Sequence, residues 1–353
     1  MNYLVYLHSI GFTHKSLGDI FKNNENYEEF YKNINLETLG NFIKKEKQIS
    51  SILQEKSRIN TKNIDKKLYD LNVNIITIKD KSYPKNLKEI SNPPYFLYVR
   101  GILNGNDNFF SIVGSRKISA YTKKVGESVI PDLTKYFTIV SGGAGGCDSL
   151  AHKICIENKS KTIVVFGTGI DITYPVSNNN LFEEVLKNSG ALISIFPIGT
   201  HGSIYTFPIR NEIVSGISSG VLVLEAGEKS GTLITANLAL DQGKDLFAIP
   251  GDIFNVNHIG TNNLIKNSNA KLITSSNDIL EEYNYKIINT KKEIIFENET
   301  QENIYNLLKY NLSLSIDELI EKTNYNYGLL SLNLSLMELN YLIKKDLFGK
   351  YTI

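Results

Sequence analysis

Ile112-Val-Gly-Ser-Arg-Lys117 and, further along, Ile139-Val-Ser-Gly-Gly-Ala-Gly-Gly-Cys-Asp148 decide how this chain is read. In each, a short β-branched stretch runs into Gly/Ser-rich sequence and then into a helical pattern. That layout sets backbone N–H groups and a helix N-terminus against a phosphate. Outward from these two, apolar runs recur at Asn74–Ile78, Phe96–Val99, Phe109–Val113, Phe137–Val140, Thr162–Phe166, Ala191–Ile195, Gly220–Leu224 and Asp245–Ile249, with helical patterns between them. Their hydrophobicity is continuous, not alternating, so each strand is predicted to be covered on both faces. The fold class that follows is α/β: a Rossmann-like, mostly parallel sheet with helices on both faces. In such sheets a ligand lies beyond the carboxyl ends of the strands, where the Gly-rich turns also fall.

The flanks read differently. Residues 1–72 carry Leu4 and Leu7, then Leu17, Ile20 and Phe21, then Leu36, Leu39, Phe42 and Ile43 at helical spacing, punctuated by Gly11, Gly18 and the Asn23-Asn24 pair. A small helical, SAM-like domain is expected there. The Rossmann-like domain spans 73–283. Residues 284–300 are mixed and polar, with no apolar helical face, and read as a linker. In 301–353, Ile304, Leu307 and Leu308, then Ile316, Leu319 and Ile320, then Leu329 through Leu342 predict three helices. The closing Leu347–Ile353 segment suits a strand pair, so a winged-helix-like domain is expected.

At 353 residues, 42% of them hydrophobic, the chain is long enough for two or three domains with real cores. No apolar run approaches the ~20 residues that cross a bilayer. Met1-Asn-Tyr-Leu-Val-Tyr-Leu-His8 lacks the basic region and cleavage site of a signal peptide, so a cytoplasmic address without membrane contact is expected. Cys147 and Cys155 have neither disulfide nor metal spacing and read as buried thiols. No metal or cofactor is expected. A net charge of +1 excludes a basic surface over the whole chain but not a local cationic groove.

An ordered set of motifs then stands out: Gly114-Ser-Arg116; Ser141-Gly-Gly-Ala-x-Gly-x-Asp148 with Ala151-His152; Gly167-Thr-Gly-Ile-Asp171 with Tyr174-Pro175; Phe207-Pro-Ile-Arg-Asn211; Lys229-Ser-Gly-Thr-Leu-Ile-Thr-Ala236; and Ile249-Pro-Gly251 with Gly260-Thr-Asn262. This set resembles the DprA/Smf family of DNA-processing proteins of natural transformation. Ser82-Tyr-Pro84, Pro93-Pro94 and Leu336-Met-Glu-Leu339 extend the resemblance over nearly the whole chain. The resemblance implies a protein that binds single-stranded DNA, protects it during uptake, dimerises through its Rossmann-like core and loads the RecA recombinase, with no catalysis.

The residues suit that task. Arg116, just past a strand, can clamp phosphate oxygens while Gly114 and Ser115 keep the backbone close; a structural ion pair is the alternative. Ser141, Gly142, Gly143 and Gly146 suit a backbone nest for phosphate, although tight strand–helix packing also calls for glycine. The resemblance adds Gly167, Thr168 and Gly169. Phe207 can stack on a base beside Arg210 and Asn211, or it is a core aromatic. Lys229, Ser230, Gly231 and Thr232 offer a cation, hydroxyls and a turn ahead of a helix. His152 reads as a structural hydrogen bond from its helix to the neighbouring loop. Glu225 ends its strand near the ligand edge and needs a partner there.

Two departures from the family pattern bear on affinity: Gly145 stands where a basic residue is frequent, and Glu212 where a second Arg is usual. Each removes positive charge from the expected groove, so weaker or more salt-sensitive binding is expected. A nucleotide hydrolase is the rival class. Related Rossmann-like phosphoribohydrolases carry acidic residues directly after a Gly-Thr, whereas Leu233, Ile234 and Thr235 follow Gly231-Thr232 here, and general acid–base chemistry has no owner. Neither a dinucleotide fingerprint nor a Walker A motif is present. In the C-terminal module the stretch Tyr327–Leu342 has no Arg or Lys, and acids outnumber lysines around it. A protein-contact or dimer-supporting role is expected there over duplex readout.

Overall fold

The computed structural model describes residues 2–22, 26–285, 296–311, 313–340, 342–346 and 348–353. The chain divides into two compact units, Met1–Ile287 and Ile288–Ile353.

Helices open the first unit: α1 (Asn2–Ser9), α2 (His14–Ile20), α3 (Tyr27–Lys32), α4 (Leu36–Gly40), α5 (Glu46–Arg58) and α6 (Thr61–Asp70). Thr13 and Asn35 close capping boxes over α2 and α4, and Asn26 and Asn60 accept the first free N–H groups of α3 and α6. Such caps satisfy backbone donors that short helices cannot pair themselves. Asn23-Asn24 lie outside the described residues. Leu4, Leu7, Leu17 and Leu39 share one core with Phe96, Tyr98, Phe166 and Leu192 of the sheet. The division expected at residue 72 is thus a change of secondary structure inside one compact unit.

The alternating region follows as β1 (Val73–Thr77), α7 (Lys85–Lys88), β2 (Phe96–Gly101), β3 (Phe109–Val113), α8 (Ala120–Leu133), β4 (Thr138–Ser141), α9 (Cys147–Glu157), β5 (Thr162–Val165), α10 (Asn179–Lys187), β6 (Ala191–Ser194), α11 (Thr206–Ile217), β7 (Gly220–Val223), α12 (Thr232–Asp241), β8 (Asp245–Ala248), α13 (Ile259–Lys266), β9 (Lys271–Leu272) and α14 (Asn277–Leu280). Its strands form one nine-stranded sheet in the order β1-β2-β6-β5-β4-β3-β7-β8-β9. From β6 to β9 every neighbouring pair is parallel, while β2 runs antiparallel to β6 and to β1. The Rossmann-like core is therefore mostly parallel, with an antiparallel pair on one edge.

Burial explains the continuous runs. In the β7 run, Val221 and Val223 face a core shared with Val214 and Ile217 of α11 and Ala236 and Ala239 of α12. Leu222 and Leu224 face the opposite core, with Val129, Ile130 and Leu133 of α8 and Leu150 and Ile154 of α9. Each such side chain contributes about 1.5–3 kcal/mol on burial, so both faces of the sheet hold the helices down. Successive strands β3, β4, β5 and β6 step one way across the sheet and β7, β8 and β9 the other. The reversal lies between β3 and β7, whose register pairs Phe110 with Gly220 and Val113 with Val223. A crevice opens at such a reversal because the flanking connections depart to opposite sides.

The second unit contains α15 (Glu299–Tyr310), α16 (Ile316–Thr323), α17 (Tyr327–Leu339) and an antiparallel pair, β10 (Lys344–Lys345) with β11 (Tyr351–Thr352). Ile304, Leu308, Leu319, Leu330, Leu334, Met337, Ile343 and Tyr351 form its core. Most of the expected linker, residues 286–295, lies outside the described residues, as does Leu347 of the expected terminal segment. Among the described residues no helix is long and apolar enough to cross a membrane.

Candidate functional site

At the reversal the chain leaves β3 as Gly114-Ser115-Arg116, leaves β4 through the glycine-rich turn, and leaves β7 toward Ser230-Gly231-Thr232. These segments and the first turns of α11 enclose a cavity of about 390 Å3. Asp148 lines it from α9, Phe207, Arg210 and Asn211 from α11, and Thr232 and Thr235 from α12. The N-cap positions of these helices, Gly146, Tyr205 and Gly231, make no side-chain cap hydrogen bond. The early turns of three helices thus share one space, where their aligned peptide dipoles favour an anion.

The floor is tied together. Arg210 is buried, and its Nη1 donates to the carbonyls of Gly142 and, at 2.7 Å, Val165, while its Nε donates to Asn211 Oδ1 at 3.1 Å. A Cβ on Gly142 would fall 2.6 Å from the guanidinium carbon, so the arginine seats only over glycine. At Gly146 φ is +77°, and a Cβ there would run into the Ser115 carbonyl. Asp148 accepts from the Ala144 N–H at 3.1 Å, which holds the glycine-rich turn to α9. Burial pushes the Asp148 carboxyl upward, and Arg210, the Ala144 N–H, Ser141 and Arg116 pull against it.

The rim is open. Arg116 is exposed and has no carboxylate or hydrogen-bond partner among the described residues. Its guanidinium carbon lies 5.9 Å from the centroid of the Phe207 ring, and so does that of Arg210. Phe207 is half-buried, with the Tyr174 ring 5.4 Å away and Gly167 beneath it. A flat apolar surface flanked by two cations is the chemistry that accepts a base and its phosphate together.

Of the residues singled out in the sequence, Gly114, Ser115, Arg116, Gly142, Phe207, Arg210, Asn211, Ser230, Gly231 and Thr232 meet at the cavity. The others stand outside its lining. Ser141 is turned inward and donates to the Ile112 carbonyl at 2.6 Å. Gly143 packs toward Val164 and Phe182, and Gly146 closes against Ser115. Thr168 donates to the Ile172 carbonyl at 2.6 Å, and the Gly169 N–H donates to the Thr200 carbonyl at 2.8 Å, so Gly167-Thr168-Gly169 shapes the neighbouring loop. Lys229 is exposed on the β7 loop, one residue before Ser230, with no carboxylate partner among the described residues.

Packing decides the remaining expectations. Glu212 does not face the cavity: it is half-buried, with its backbone carbonyl accepting from Gln242 at the end of α12 at 3.1 Å, and burial pushes its carboxyl up. Two steps along a helix rotate a side chain by about 200°, which takes Glu212 away from the face that Arg210 occupies. Glu225 is buried and accepts from the Ser119 N–H at 3.1 Å, the Ser119 hydroxyl at 2.7 Å and the Thr122 hydroxyl at 2.6 Å. Burial pushes this carboxyl up, but the bonds from Thr122 and Ser119, with His258, outweigh it and hold it below the usual range. His152 reaches Thr162 at the start of β5, at 2.7 Å, and not a loop. Thr162 spends its hydroxyl proton on the Ile139 carbonyl, so His152 Nδ1 carries the proton. Both cysteines are buried thiols. Asp148, Ile204, Pro208, Ile234 and Thr235 also line the cavity; all but Ile204 fall inside the ordered motifs, which give no sign of which members turn toward it.

Residues 74–284 match the family model described as DNA recombination-mediator protein A. The DNA processing protein DprA of Streptococcus pneumoniae is 39% identical over 210 residues, 59% of this chain and 74% of that protein. An X-ray structure of DNA processing protein A from Streptococcus pneumoniae is similar at a TM-score of 0.67 and 30% identity, covering 81% of this chain and 99% of that one. A structure of DNA processing protein A from Helicobacter pylori, described by its unique single-stranded DNA binding mode, is similar at a TM-score of 0.53 and 26% identity, covering 59% of this chain and 95% of that one.

Proposed function

This chain belongs to the DNA recombination-mediator protein A family, the DprA/Smf DNA-processing proteins, and from that premise we propose that it binds single-stranded DNA along the carboxyl edge of its sheet. The observation that carries the reading is Arg116: an exposed guanidinium with no carboxylate or hydrogen-bond partner among the described residues, beside a half-buried Phe207, at the mouth of a cavity built from helix N-termini. Phosphate is recognised there by charge-assisted and backbone hydrogen bonds, and a base by stacking, which requires no particular sequence. The binding mode named for the Helicobacter pylori relative supports the same reading.

The proposal extends to a cytoplasmic homodimer that protects incoming strands and loads a RecA recombinase, with the winged-helix-like second unit serving protein contacts. The family resemblance supports the dimer, the protection and the loading, and the lack of Arg and Lys in Tyr327–Leu342 supports the protein contacts. No catalysis forms part of it: Asp148 is held by the Ala144 N–H, and Glu225 is turned to Ser119 and Thr122. The test is fluorescence anisotropy of a labelled oligothymidylate against a duplex of equal length over a salt series. Tighter binding of the single strand at every salt is expected; equal affinity for both forms would overturn the proposal.

A further inference from the structure

Past β8 the chain turns through Pro250-Gly251-Asp252-Ile253-Phe254-Asn255-Val256, where Ile253, Phe254 and Val256 stand 78%, 89% and 68% exposed. Single exposed apolar side chains are ordinary, but such a group on one turn marks a contact surface. We propose that this turn is a second base-stacking subsite for the strand held at Arg116, with Phe254 receiving the face of a nucleobase further along. The inference rests on the single-strand reading above.

Sheet geometry places the turn on the same track. β3, β7 and β8 are parallel neighbours, so Arg116, the β7 loop with Lys229, and the Phe254 turn follow one another along one edge. Strands about 4.8 Å apart put the end of β8 about 10 Å from that of β3. At about 3.4 Å per stacked nucleotide, that is a span of some three nucleotides, fewer if the strand is extended. The two loops touch as well. The Gly260 N–H donates to the Ala226 carbonyl at 2.8 Å, and the Val256 carbonyl lies over Gly227.

The turn is also built to hold its side chain out. Tyr121 donates to the Pro250 carbonyl at 2.7 Å, and the Asn262 amide bonds both the N–H and the carbonyl of Gly251, at 3.0 and 3.1 Å. The Phe254 N–H donates to Asp252 Oδ1 at 2.9 Å, and the Asn255 N–H to the Asp252 carbonyl at 3.1 Å. A ring presented on a pinned turn loses little freedom when it is covered. Chemistry selects the occupant. Between Gly251 and His258 there is no Lys or Arg, and the Asp252 carboxylate disfavours phosphate, so the turn suits a base and not the backbone. Lys229, next along the edge, is left for the phosphate.

The chain contains no tryptophan, so Phe254→Trp gives the full-length protein a single indole at this position. Titration with a labelled oligothymidylate reads indole emission and label anisotropy together. The expected result is saturable quenching with the same midpoint as the anisotropy, while Phe254→Ala weakens binding about 5- to 100-fold and leaves the melting temperature in place. Wild-type-like binding by Phe254→Ala, with no quenching in Phe254→Trp, would overturn the subsite and leave the single-strand reading standing. A changed molecular mass of Phe254→Ala in light scattering, at unchanged single-strand affinity, would mark a protein contact and also overturn it. No binding by the wild-type chain would overturn both readings.

Discussion

The floor and the rim of the cavity each hold one arginine, at the same 5.9 Å from the Phe207 ring, yet the two are in opposite physical situations. Arg210 is buried, spends its guanidinium on two carbonyls and an amide, and faces the buried Asp148. Arg116 is exposed and unpartnered among the described residues. A charge already satisfied by the protein builds the site, whereas one left unsatisfied is available to a ligand. Motif membership does not distinguish them; their partners do.

The largest effect is expected from breaking the floor. Arg210→Ala leaves the carbonyls of Gly142 and Val165 unpaired and Asp148 buried without its counter-charge, and should cost about 3–5 kcal/mol in urea unfolding. A loss under about 1 kcal/mol would move Arg210 from the architecture to the ligand set. Removing the rim cation acts on binding instead. Arg116→Ala should weaken single-strand affinity by about 1.5–3 kcal/mol while stability stays within about 0.5 kcal/mol, so parallel losses of both would erase the contrast.

Acid acts on neither region but on histidines outside the cavity lining. Burial pushes the pKa of His14 down to about 4 and that of His152 down to about 3, and pushes that of His8 well below the usual range as well. These folded-state values lie below the unfolded one, so the unfolded chain takes up more protons once the pH falls below about 6.5. Stability is then lost progressively toward the folded values, by up to about 2 kcal/mol per histidine at pH 5. Urea midpoints between pH 7 and 5 should fall, and less steeply in His152→Gln; an unchanged slope would show that His152 titrates alike in the folded and unfolded states. The smallest effect is expected at Glu212. Glu212→Arg should leave single-strand affinity unchanged at low salt, and a gain would return that residue to the groove.

The parallel core was legible because both-face burial writes unbroken apolar runs such as Val221 to Leu224, and a glycine-rich turn at a strand end is local. What sequence could not carry is which way a residue turns and what meets it from elsewhere. The runs at Asn74–Ile78 and Phe96–Val99 read like the rest, yet β1 and β2 are antiparallel, a matter of connection that periodicity does not encode. Ser141 and Thr168 sit in glycine-rich motifs that suit phosphate, but their hydroxyls close onto nearby carbonyls. Glu225 finds Ser119 and Thr122 from 106 and 103 residues away, a pairing only the fold creates. Glu212 was placed by its neighbour Arg210, and helix rotation separates them.

The central claim, that unpartnered rim cations carry a single strand, is tested most directly by the salt dependence of binding. Log Kd against log salt for one labelled oligothymidylate would be measured for the wild type, Arg116→Ala and Lys229→Ala, with melting temperatures alongside. Each substitution should flatten the slope by about 0.7, the share of one phosphate contact on a single strand, at unchanged melting temperature. Strong single-strand binding with the same slope in all three proteins would contradict the account.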